Sequence, residues 1–218
     1  MRHRNVKGAY EILQLHPKVV HNPSKLKGKW HSHFQNDGPI MIEIGMGKGQ
    51  FITELAKENP HINYIGFEKF TSIMAKALEK IDEQEPLHNL IVIREDAENL
   101  LDLFEEGEIE GIYLNFSDPW PKERHIKRRL TSKTFLEKYA VILKAGSHLI
   151  FKTDNKGLFE FSLEQINDSG YEVLAMTYDL HGSSYVQGNI MTEYEKKFVA
   201  AGMNIHMVRF QVKPHVKI

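Results

Sequence analysis

The sequence predicts an α/β fold in which a doubly wound, mostly parallel seven-stranded sheet carries helices on both faces. From residue 39 onward, short apolar runs alternate with longer amphipathic stretches, which is the pattern of successive βαβ units. Seven such runs occur, and a chain of 218 residues is long enough for one domain with a self-sufficient core. No internal repeat or low-complexity segment interrupts the pattern.

The predicted strands are, in chain order, residues 40–44, 63–67, 90–94, 111–116, 148–153, 171–177 and 205–212. The predicted helices are residues 49–58, 71–84, 97–104, 132–143, 158–168 and 192–201. Capping chemistry supports two of these boundaries, because Asp96 can cap the third helix and Gly202 can end the last. Ligands of such sheets bind outside the carboxyl ends of the strands, so residues directly after each strand are the functional candidates.

Composition and charge exclude several classes of protein. The absence of cysteine excludes disulfide scaffolds, thiolate zinc sites and thiol nucleophiles. Lys and Arg number 28 against 29 Asp and Glu, which excludes a globally basic nucleic-acid binder but not a locally basic surface. No apolar run reaches the ~18 residues of a membrane span, and the N-terminus lacks the apolar region of a signal peptide. We therefore expect a cytoplasmic protein that does not bind a membrane.

Residues 1–38 are predicted to be a basic N-terminal arm, ordered in part at best, and residues 39–218 to be the folded domain. The first 35 residues contain seven Lys or Arg, five His and one acid. Pro17 and Pro23 interrupt this stretch, which has little periodicity. A solvated tail without function is an equally good interpretation of such a segment.

A glycine-rich loop follows the first predicted strand, with Gly45, Gly47 and Gly49 at alternate positions. Glycines allow the backbone to approach a ligand closely. A dinucleotide-binding loop has the spacing G-x-G-x-x-G and seats a diphosphate. Here the spacing is G-x-G-x-G, and Glu43 lies two residues before the first glycine, which opposes a diphosphate and suits an ammonium or sulfonium charge. The loop therefore favours S-adenosylmethionine over NAD, with a tight structural turn as the alternative interpretation.

Two further acids follow the next two predicted strands. Glu68 lies 23 residues after Gly45, a distance at which an acid commonly accepts hydrogen bonds from ribose hydroxyls. Asp96 follows the third strand, where it would meet an adenine. Either acid alone is more often a helix cap or a solvated side chain. Three acids at the ends of three successive strands make the stronger case for a cofactor site, because all three face one edge of the sheet.

The fourth predicted strand leads into Asp118-Pro119-Trp120-Pro121, a turn that its two prolines stiffen. The next eight residues contain one acid, Glu123, and five cations, which are Lys122, Arg124, Lys127, Arg128 and Arg129. Charge runs usually form solvated faces. Five cations beside a rigid turn are hard to explain in that way, and they suit contacts with phosphates, for which Arg adds bidentate geometry.

Residues 115–129 resemble the signature Asn-Phe-(Pro/Ser)-Asp-Pro-Trp-Pro-Lys-x-Arg-His-x-Lys-Arg-Arg of the bacterial tRNA (guanine-N7-)-methyltransferases. Ser117 and Glu123 stand where Pro and Lys are commoner, and neither change removes a proposed site residue. The resemblance also covers residues 43–47, 66–68, 153–155 and 192–195, so it extends from about residue 39 to residue 212. It implies a Rossmann-like class I methyltransferase fold.

The resemblance implies methyl transfer from S-adenosyl-L-methionine to N7 of guanosine 46 in the variable loop of tRNA. Asp118 is the implied catalytic residue, and the implied cofactor contacts are Glu43, Gly45, Gly47, Glu68, Asp96 and Asp118. The implied substrate contacts are Lys122, Asp154, Thr192, Glu193, Tyr194 and Glu195. The implied RNA contacts are Arg124, His125, Lys127, Arg128 and Arg129. No metal is expected. The sequence contains His31-x-His33 but no cluster of metal ligands near the proposed site, and solvated side chains are the better interpretation of these two histidines. Monomer and homodimer both remain open.

Guanine N7 already carries a lone pair, so methyl transfer to it needs no general base and is chiefly a matter of alignment. A carboxylate beside the ring stabilises the positive charge that develops on it. Asp118 is the candidate for this role, with Asp154 and Glu195 as further acceptors for the guanine edge. Thr192 and Glu195 also have the spacing of a capping box at the start of a helix. Tyr194 can stack on the base or simply pack.

Two other functions fit parts of the sequence. One is a methyltransferase that acts on another RNA or on a small nitrogen base, although a small-molecule enzyme does not need the polybasic loop. The other is a catalytically idle RNA-binding module. That function predicts damage to the cofactor acids, and Glu43, Glu68, Asp96 and Asp118 are all intact.

Overall fold

The computed structural model describes residues 6–213, and seven strands in this range form one sheet. The strands are β1 Ile40–Ile44, β2 Asn63–Phe67, β3 Leu90–Ile93, β4 Ile109–Asn115, β5 Leu143–Thr153, β6 Glu172–Thr177 and β7 His206–Gln211. Their order in the sheet is β3-β2-β1-β4-β5-β7-β6. β1 pairs in parallel with β2, β2 with β3 and β4 with β5, whereas β7 is antiparallel to β5 and β6. The predicted seven-stranded, mostly parallel sheet is confirmed.

Eight α-helices lie within the described residues: α1 Ala9–Leu15, α2 Trp30–Phe34, α3 Gln50–Glu58, α4 Thr71–Asp82, α5 Leu100–Leu103, α6 Lys133–Ile142, α7 Lys156–Asp168 and α8 Glu193–Ala200. Short 3-10 helices occur at Pro23–Leu26, Ala97–Asn99, Glu123–Arg128 and Ser184–Val186. α1 and α2 are not predicted from the sequence, because segments this short contain too few apolar repeats to show a period. Between residues 6 and 213, no helix has the length and apolar character needed to cross a membrane.

Both predicted helix caps are confirmed. The Asp96 carboxylate accepts a hydrogen bond from the amide of Glu98 at 3.1 Å, which starts the 3-10 turn before α5. Gly202 lies just after α8 and has a φ of +74°, a left-handed conformation that glycine adopts without steric cost. These local rules therefore fix where two of the helices begin or end.

Residues 6–105 form a compact unit with β1, β2 and β3 at its centre. Every residue of these three strands is buried, which explains their nearly continuous apolar runs in the sequence. Gly66 in β2 leaves room for the side chain of Met46, because a Cβ at this position would collide with the Met46 sulfur. The glycine-rich loop after β1 can therefore lie directly against β2.

The segment from residue 6 to residue 38 packs against the rest of this first unit. Trp30 is fully buried and donates its indole N–H to the carbonyl of Leu103 at 3.0 Å. Val19 forms a parallel bridge with Val92 of β3. The apolar side chains of this segment are too irregularly spaced for periodicity to reveal such packing. Residues 1–5 of the predicted arm lie outside the described residues, and the division of the chain between residues 38 and 39 stays a prediction.

Residues 106–213 form a second compact unit around β4, β5, β7 and β6. β5 begins at Leu143 rather than at the predicted residue 148, since Leu143 pairs with Ile109 before a register shift that leaves extra residues on β5. The exposed residues 144–146 interrupt the apolar pattern and conceal this extension. α7 begins at Lys156, two residues earlier than predicted, because the Asn155 side chain accepts a hydrogen bond from the amide of Leu158 at 2.8 Å.

Candidate active site

The glycine-rich loop of the first unit is held against the end of β2. The amides of Gly45 and Met46 both donate to the carbonyl of Phe67, at 3.0 and 2.9 Å. Gly45, Gly47 and Gly49 have φ values of +79°, +58° and +76°. Left-handed backbone at three alternate positions explains why the sequence has glycine at each of them.

The three glycines differ in what surrounds them. A Cβ added to Gly45 or to Gly47 would have no atom within 4 Å, so both positions border open space. A Cβ added to Gly49 would lie 3.2 Å from the Cβ of Ala77, so the third glycine permits close packing of α3 against α4. Gly45 and Gly47 therefore form a cradle that a ligand can fill, while Gly49 has a packing role.

Three acids lie at or just after the carboxyl ends of the three neighbouring strands of the first unit. Glu43 is the fourth residue of β1 and is buried, and its register partner in β2 is Gly66. Glu68 follows β2 directly, and Asp96 follows β3 by three residues. Since these strands are parallel, their carboxyl ends lie at the same edge. The first unit thus brings the three predicted acids to the edge that also bears the glycine-rich loop.

Glu68 is an acid of this edge with a perturbed carboxyl group. Its carboxylate is buried and accepts a hydrogen bond from the amide of Phe70 at 2.8 Å. Burial raises the pKa of Glu68, and this effect exceeds the opposing effects of the amides of Phe70, Gly47 and Lys69 and of the Lys69 charge. A buried carboxylate beside an open glycine cradle is the acceptor that two ribose hydroxyls require, so the residues present fit the adenosyl group of S-adenosylmethionine.

Asp96 is more exposed than Glu68, and its carboxylate contacts both a backbone amide and a lysine side chain. One oxygen caps the 3-10 turn, and the other lies 3.1 Å from the ammonium of Lys69. The structural role that the sequence analysis weighed for Asp96 is therefore present. Its predicted contact with the cofactor stays a prediction.

The second unit contains the loop that carries Asp118, which we call the Asp118 loop and define as residues 116–121. Asp118 is exposed, and two aromatic residues of the loop have left-handed backbone: Phe116 with a φ of +52° and Trp120 with a φ of +41°. Phe116 is held by a hydrogen bond from its amide to the carbonyl of Lys152 at 2.8 Å and by stacking on Phe198 at 5.8 Å. Bulky residues rarely adopt this conformation, so the surroundings must stabilise it.

The basic stretch after this loop forms the 3-10 helix Glu123–Arg128 and presents most of its cations to solvent. Lys122, Arg124, Lys127 and Arg128 are exposed. The Arg128 guanidinium lies 5.0 Å from the centre of the Trp120 ring, and the His125 ring meets the same indole edge-on at 5.5 Å. These side chains have the exposure that contact with RNA phosphates requires.

Arg129 differs from its neighbours, because its guanidinium is turned inward. Its Nε donates to the carbonyl of Pro119 at 3.0 Å, and one terminal nitrogen donates to the carbonyl of Trp120 at 3.2 Å. The guanidinium carbon also lies 4.3 Å from the centre of the Phe161 ring. The structure thus gives Arg129 internal partners, and the predicted RNA contact at this residue stays a prediction.

The predicted capping box at the start of α8 is confirmed. The Thr192 hydroxyl accepts from the amide of Glu195 at 3.0 Å, and the Glu195 carboxylate accepts from the amide of Thr192 at 3.4 Å. Thr192 and Glu195 are both buried, whereas Tyr194 is 41% exposed and stacks on Phe198 at 6.4 Å. Tyr194 therefore packs within the protein and also presents part of its surface to solvent.

Glu195 lies at the centre of a buried polar cluster in the second unit. One carboxylate oxygen accepts from the ammonium of Lys152 at 2.7 Å. The other accepts from the side-chain amide of Asn189 at 2.7 Å and lies 3.0 Å from the imidazole Nε2 of His181. Glu195 is fully buried, so its lone pairs face protein partners rather than an open pocket. A guanine contact from Glu195 stays a prediction that this packing does not favour.

Lys152, His181 and Asn189 are polar residues of this cluster that the sequence analysis misses. Of these three residues, Lys152 could have been found from the sequence, because a lysine inside an apolar strand needs a buried partner. The remaining substrate predictions fall at the surface or near it: Asp154 and Glu193 are half-buried, and Lys122 is exposed. Between residues 6 and 213, no three His, Asp or Glu side chains converge so as to hold a metal ion.

Comparison with known proteins identifies the family. A family model described as "Putative methyltransferase" matches residues 37–208. A tRNA (guanine-N(7)-)-methyltransferase from Lachnoclostridium phytofermentans is 54% identical over 214 residues, which are 98% of this chain and the whole of the relative.

Two solved structures share the fold at lower identity. The 16S rRNA methyltransferase KamB aligns with a TM-score of 0.64 and 14% identity over 86% of this chain and 94% of its own. An antibiotic-related methyltransferase aligns with a TM-score of 0.59 and 20% identity over 84% of this chain and 92% of its own. Because the sequence match to the bacterial relative is close and spans nearly the full length, the chain belongs to the tRNA (guanine-N7)-methyltransferase family.

Proposed function

We propose that this protein transfers a methyl group from S-adenosyl-L-methionine to N7 of guanosine 46 in the variable loop of tRNA. The 54% identity to a relative named tRNA (guanine-N(7)-)-methyltransferase, over 98% of the chain, carries the proposal. A tRNA substrate supports the cytoplasmic location that we propose. The two units contribute different residues to this activity, and each set is supported by its own geometry.

The first unit supplies the cofactor-binding residues. S-adenosyl-L-methionine contributes an electrophilic methyl group carried on a positively charged sulfur. The cradle at Gly45 and Gly47 leaves open space for this ligand, and the buried Glu68 offers a carboxylate to ribose hydroxyls. Glu43 adds a negative charge beside the loop, which suits a sulfonium and opposes a diphosphate.

The second unit supplies the residues that bind the guanine. Guanine N7 attacks with its own lone pair, so no residue has to remove a proton from it. Asp118 presents an exposed carboxylate on a loop whose two prolines and two left-handed residues restrict its motion. A fixed negative charge stabilises the positive charge that develops on the purine ring. Asp154 at the end of β5 is the further acceptor for the guanine edge that remains accessible.

The exposed cations after the Asp118 loop supply the contacts with tRNA. Lys122, Arg124, Lys127 and Arg128 lie within seven residues of one another on one short stretch, while the net charge of the whole chain is −1. Local concentration of positive charge in a nearly neutral protein supports a dedicated phosphate-binding surface.

The experiment is methyl transfer from labelled cofactor to an unmodified tRNA, followed by chemical cleavage at 7-methylguanosine. A matched tRNA with adenosine at position 46 serves as the control. We expect label in the first tRNA, cleavage at position 46, and no label in the control. Label on another base or atom, or equal label in the control, would contradict the proposal.

A further inference from the structure

The backbone of the Asp118 loop has fewer hydrogen-bond donors than an ordinary loop of six residues. Pro119 and Pro121 have no amide proton, so two of its six residues cannot donate. Trp120 lies between them in a left-handed conformation that a bulky residue rarely adopts. A side-chain donor that reaches the carbonyls of this turn therefore adds a constraint on Asp118 that the backbone amides of the turn do not supply.

Arg129 provides these donors. Its Nε and one terminal nitrogen reach the carbonyls of Pro119 and Trp120, at 3.0 and 3.2 Å, across the strained residue. The planar guanidinium suits two parallel hydrogen bonds, and its position 4.3 Å from the Phe161 ring centre fixes its orientation. The backbone of Arg129 is fixed as well, because its amide donates to the carbonyl of Ile126 at 3.0 Å.

Arg129 and the cations just before it have different surroundings although they share one stretch of sequence. Arg129 is half-buried, whereas Lys127 and Arg128 are exposed. Two of the five N–H groups of this guanidinium are directed at carbonyls, and its face lies on an aromatic ring, so it is less available to a phosphate than the exposed cations are. The exposed cations keep their donors available for RNA.

We infer that Arg129 is a positioning residue that holds the Asp118 loop in its reactive shape, and that tRNA phosphates are contacted by the exposed cations before it. The inference rests on the proposed function, because the position of Asp118 affects a reaction only if the protein methylates guanine. The two hydrogen bonds from Arg129 to the carbonyls of Pro119 and Trp120, which we call the Arg129 clamp, are present in the protein without any substrate. Three variants test the inference. Arg129→Gln removes both the charge and the paired N–H donors of the guanidinium, whereas Arg129→Lys keeps the charge but not the paired donors. Lys127→Gln removes a charge from the exposed part of the same stretch.

Acrylamide quenching of tryptophan fluorescence measures the clamp without any substrate. The chain has two tryptophans, and Trp30 is fully buried, so quenching reports chiefly on Trp120. We expect quenching to increase in Arg129→Gln and Arg129→Lys and to stay at the parental level in Lys127→Gln. Thermal unfolding of each variant verifies that the protein is folded. Parental quenching in both Arg129 variants would overturn the inference.

The salt dependence of tRNA affinity and the single-turnover rate separate positioning from phosphate contact. Each lost phosphate contact lowers the slope of log K against log salt by about 0.7–0.9. We expect that change in Lys127→Gln and an unchanged slope in Arg129→Gln. At saturating tRNA, the rate should fall by about 10²-fold in Arg129→Gln, because small displacements of a catalytic group are costly, and less in Lys127→Gln.

Two results in these assays would overturn the inference: a slope in Arg129→Gln that falls as it does in Lys127→Gln, or a parental rate in Arg129→Lys. A parental protein that methylates no tRNA would contradict the proposed function instead, and the quenching measurement would still decide the clamp. The two failures are therefore distinguishable.

Discussion

The ammonium of Lys152 and the carboxylate of Glu195 form an ion pair at 2.7 Å with both side chains almost completely buried, at 3% and 0% exposure. Lys152 also donates to the Asn189 side chain at 2.9 Å and to the carbonyl of Ile190 at 3.0 Å. Its own carbonyl accepts from the amide of Phe116 at the start of the Asp118 loop. One residue of β5 thus supports both the segment before α8 and the Asp118 loop within the second unit.

Removing one partner of this pair should be strongly destabilising. Lys152→Met leaves the Glu195 carboxylate buried without its cation, which we expect to cost about 3–5 kcal/mol of unfolding free energy. The double variant Lys152→Met/Glu195→Gln removes both charges and keeps an oxygen for the capping box, so it should recover part of that loss. Urea unfolding of the two variants and the parent measures the difference.

The exposed pair Lys156–Glu160 provides the control for this experiment. Its atoms are 3.5 Å apart one helical turn from each other, and both side chains are at least half exposed. We expect Lys156→Met to change stability by less than about 0.5 kcal/mol. Equal losses in Lys152→Met and Lys156→Met would show that the buried pair has no special role.

Gly45→Ala should weaken cofactor binding at least about tenfold, because its methyl group projects into the cradle that the ligand fills. Gly202→Ala is the matched control, since Gly202 also has a positive φ and open space around the added Cβ. Both variants should lose about 1 kcal/mol of stability from backbone strain. Calorimetric titration with S-adenosylmethionine tests this prediction, and equal affinities in the two variants would make the loop a structural turn only.

Glu68→Gln should lower cofactor affinity by about 10–100-fold, because hydrogen bonds to a charged acceptor contribute about 1.5–3 kcal/mol. Thr53→Val, on α3 of the same unit, offers a control for a polar group lost elsewhere, and its affinity should stay close to the parental value. Calorimetric titration measures both. An affinity in Glu68→Gln equal to that of the parent would remove Glu68 from the cofactor site.

Glu68→Gln should also change how the free energy of unfolding depends on pH. Burial raises the pKa of Glu68 above its usual 4.5, so the folded protein binds this proton more tightly than the unfolded chain does. The resulting stability is fully present below about pH 4.5 and is lost as the pH rises through the folded-state pKa. Glu68→Gln has no proton to lose, so its stability relative to the parent should increase over that interval in urea unfolding. A difference that is constant with pH would contradict this prediction.

Asp118→Asn should lower the single-turnover rate by about 10²–10³-fold, which is the usual effect of deleting one preorganised electrostatic group. The amide keeps the size of the side chain but not its charge, so cofactor affinity should fall much less. Asp168→Asn makes the same exchange at an exposed position on α7 and should keep the parental rate. A parental rate in Asp118→Asn would reassign Asp118 to a structural role in its turn.

The sequence by itself determined the features whose cause is local. The mainly apolar runs at residues 40–44 and 63–67 coincide with β1 and β2, because strands buried on both faces have no solvent-facing side that would alternate polar with apolar residues. The Asp96 cap and the Thr192–Glu195 box were predictable for the same reason, since each joins atoms no more than three residues apart. The family resemblance likewise depends on short motifs and is confirmed by comparison over the whole chain.

Only the tertiary structure decided which charged residues face inward. Arg128 and Arg129 are neighbours in one basic run, yet one is exposed and the other bonds to carbonyls nine and ten residues away. Lys152 and Glu195 are 43 residues apart, and no local rule pairs them. A charged side chain is stabilised in the interior only by partners that folding brings to it. Whether such a residue is solvated, binds a ligand or supports the structure therefore depends on tertiary contacts, which cannot be read from the order of residues.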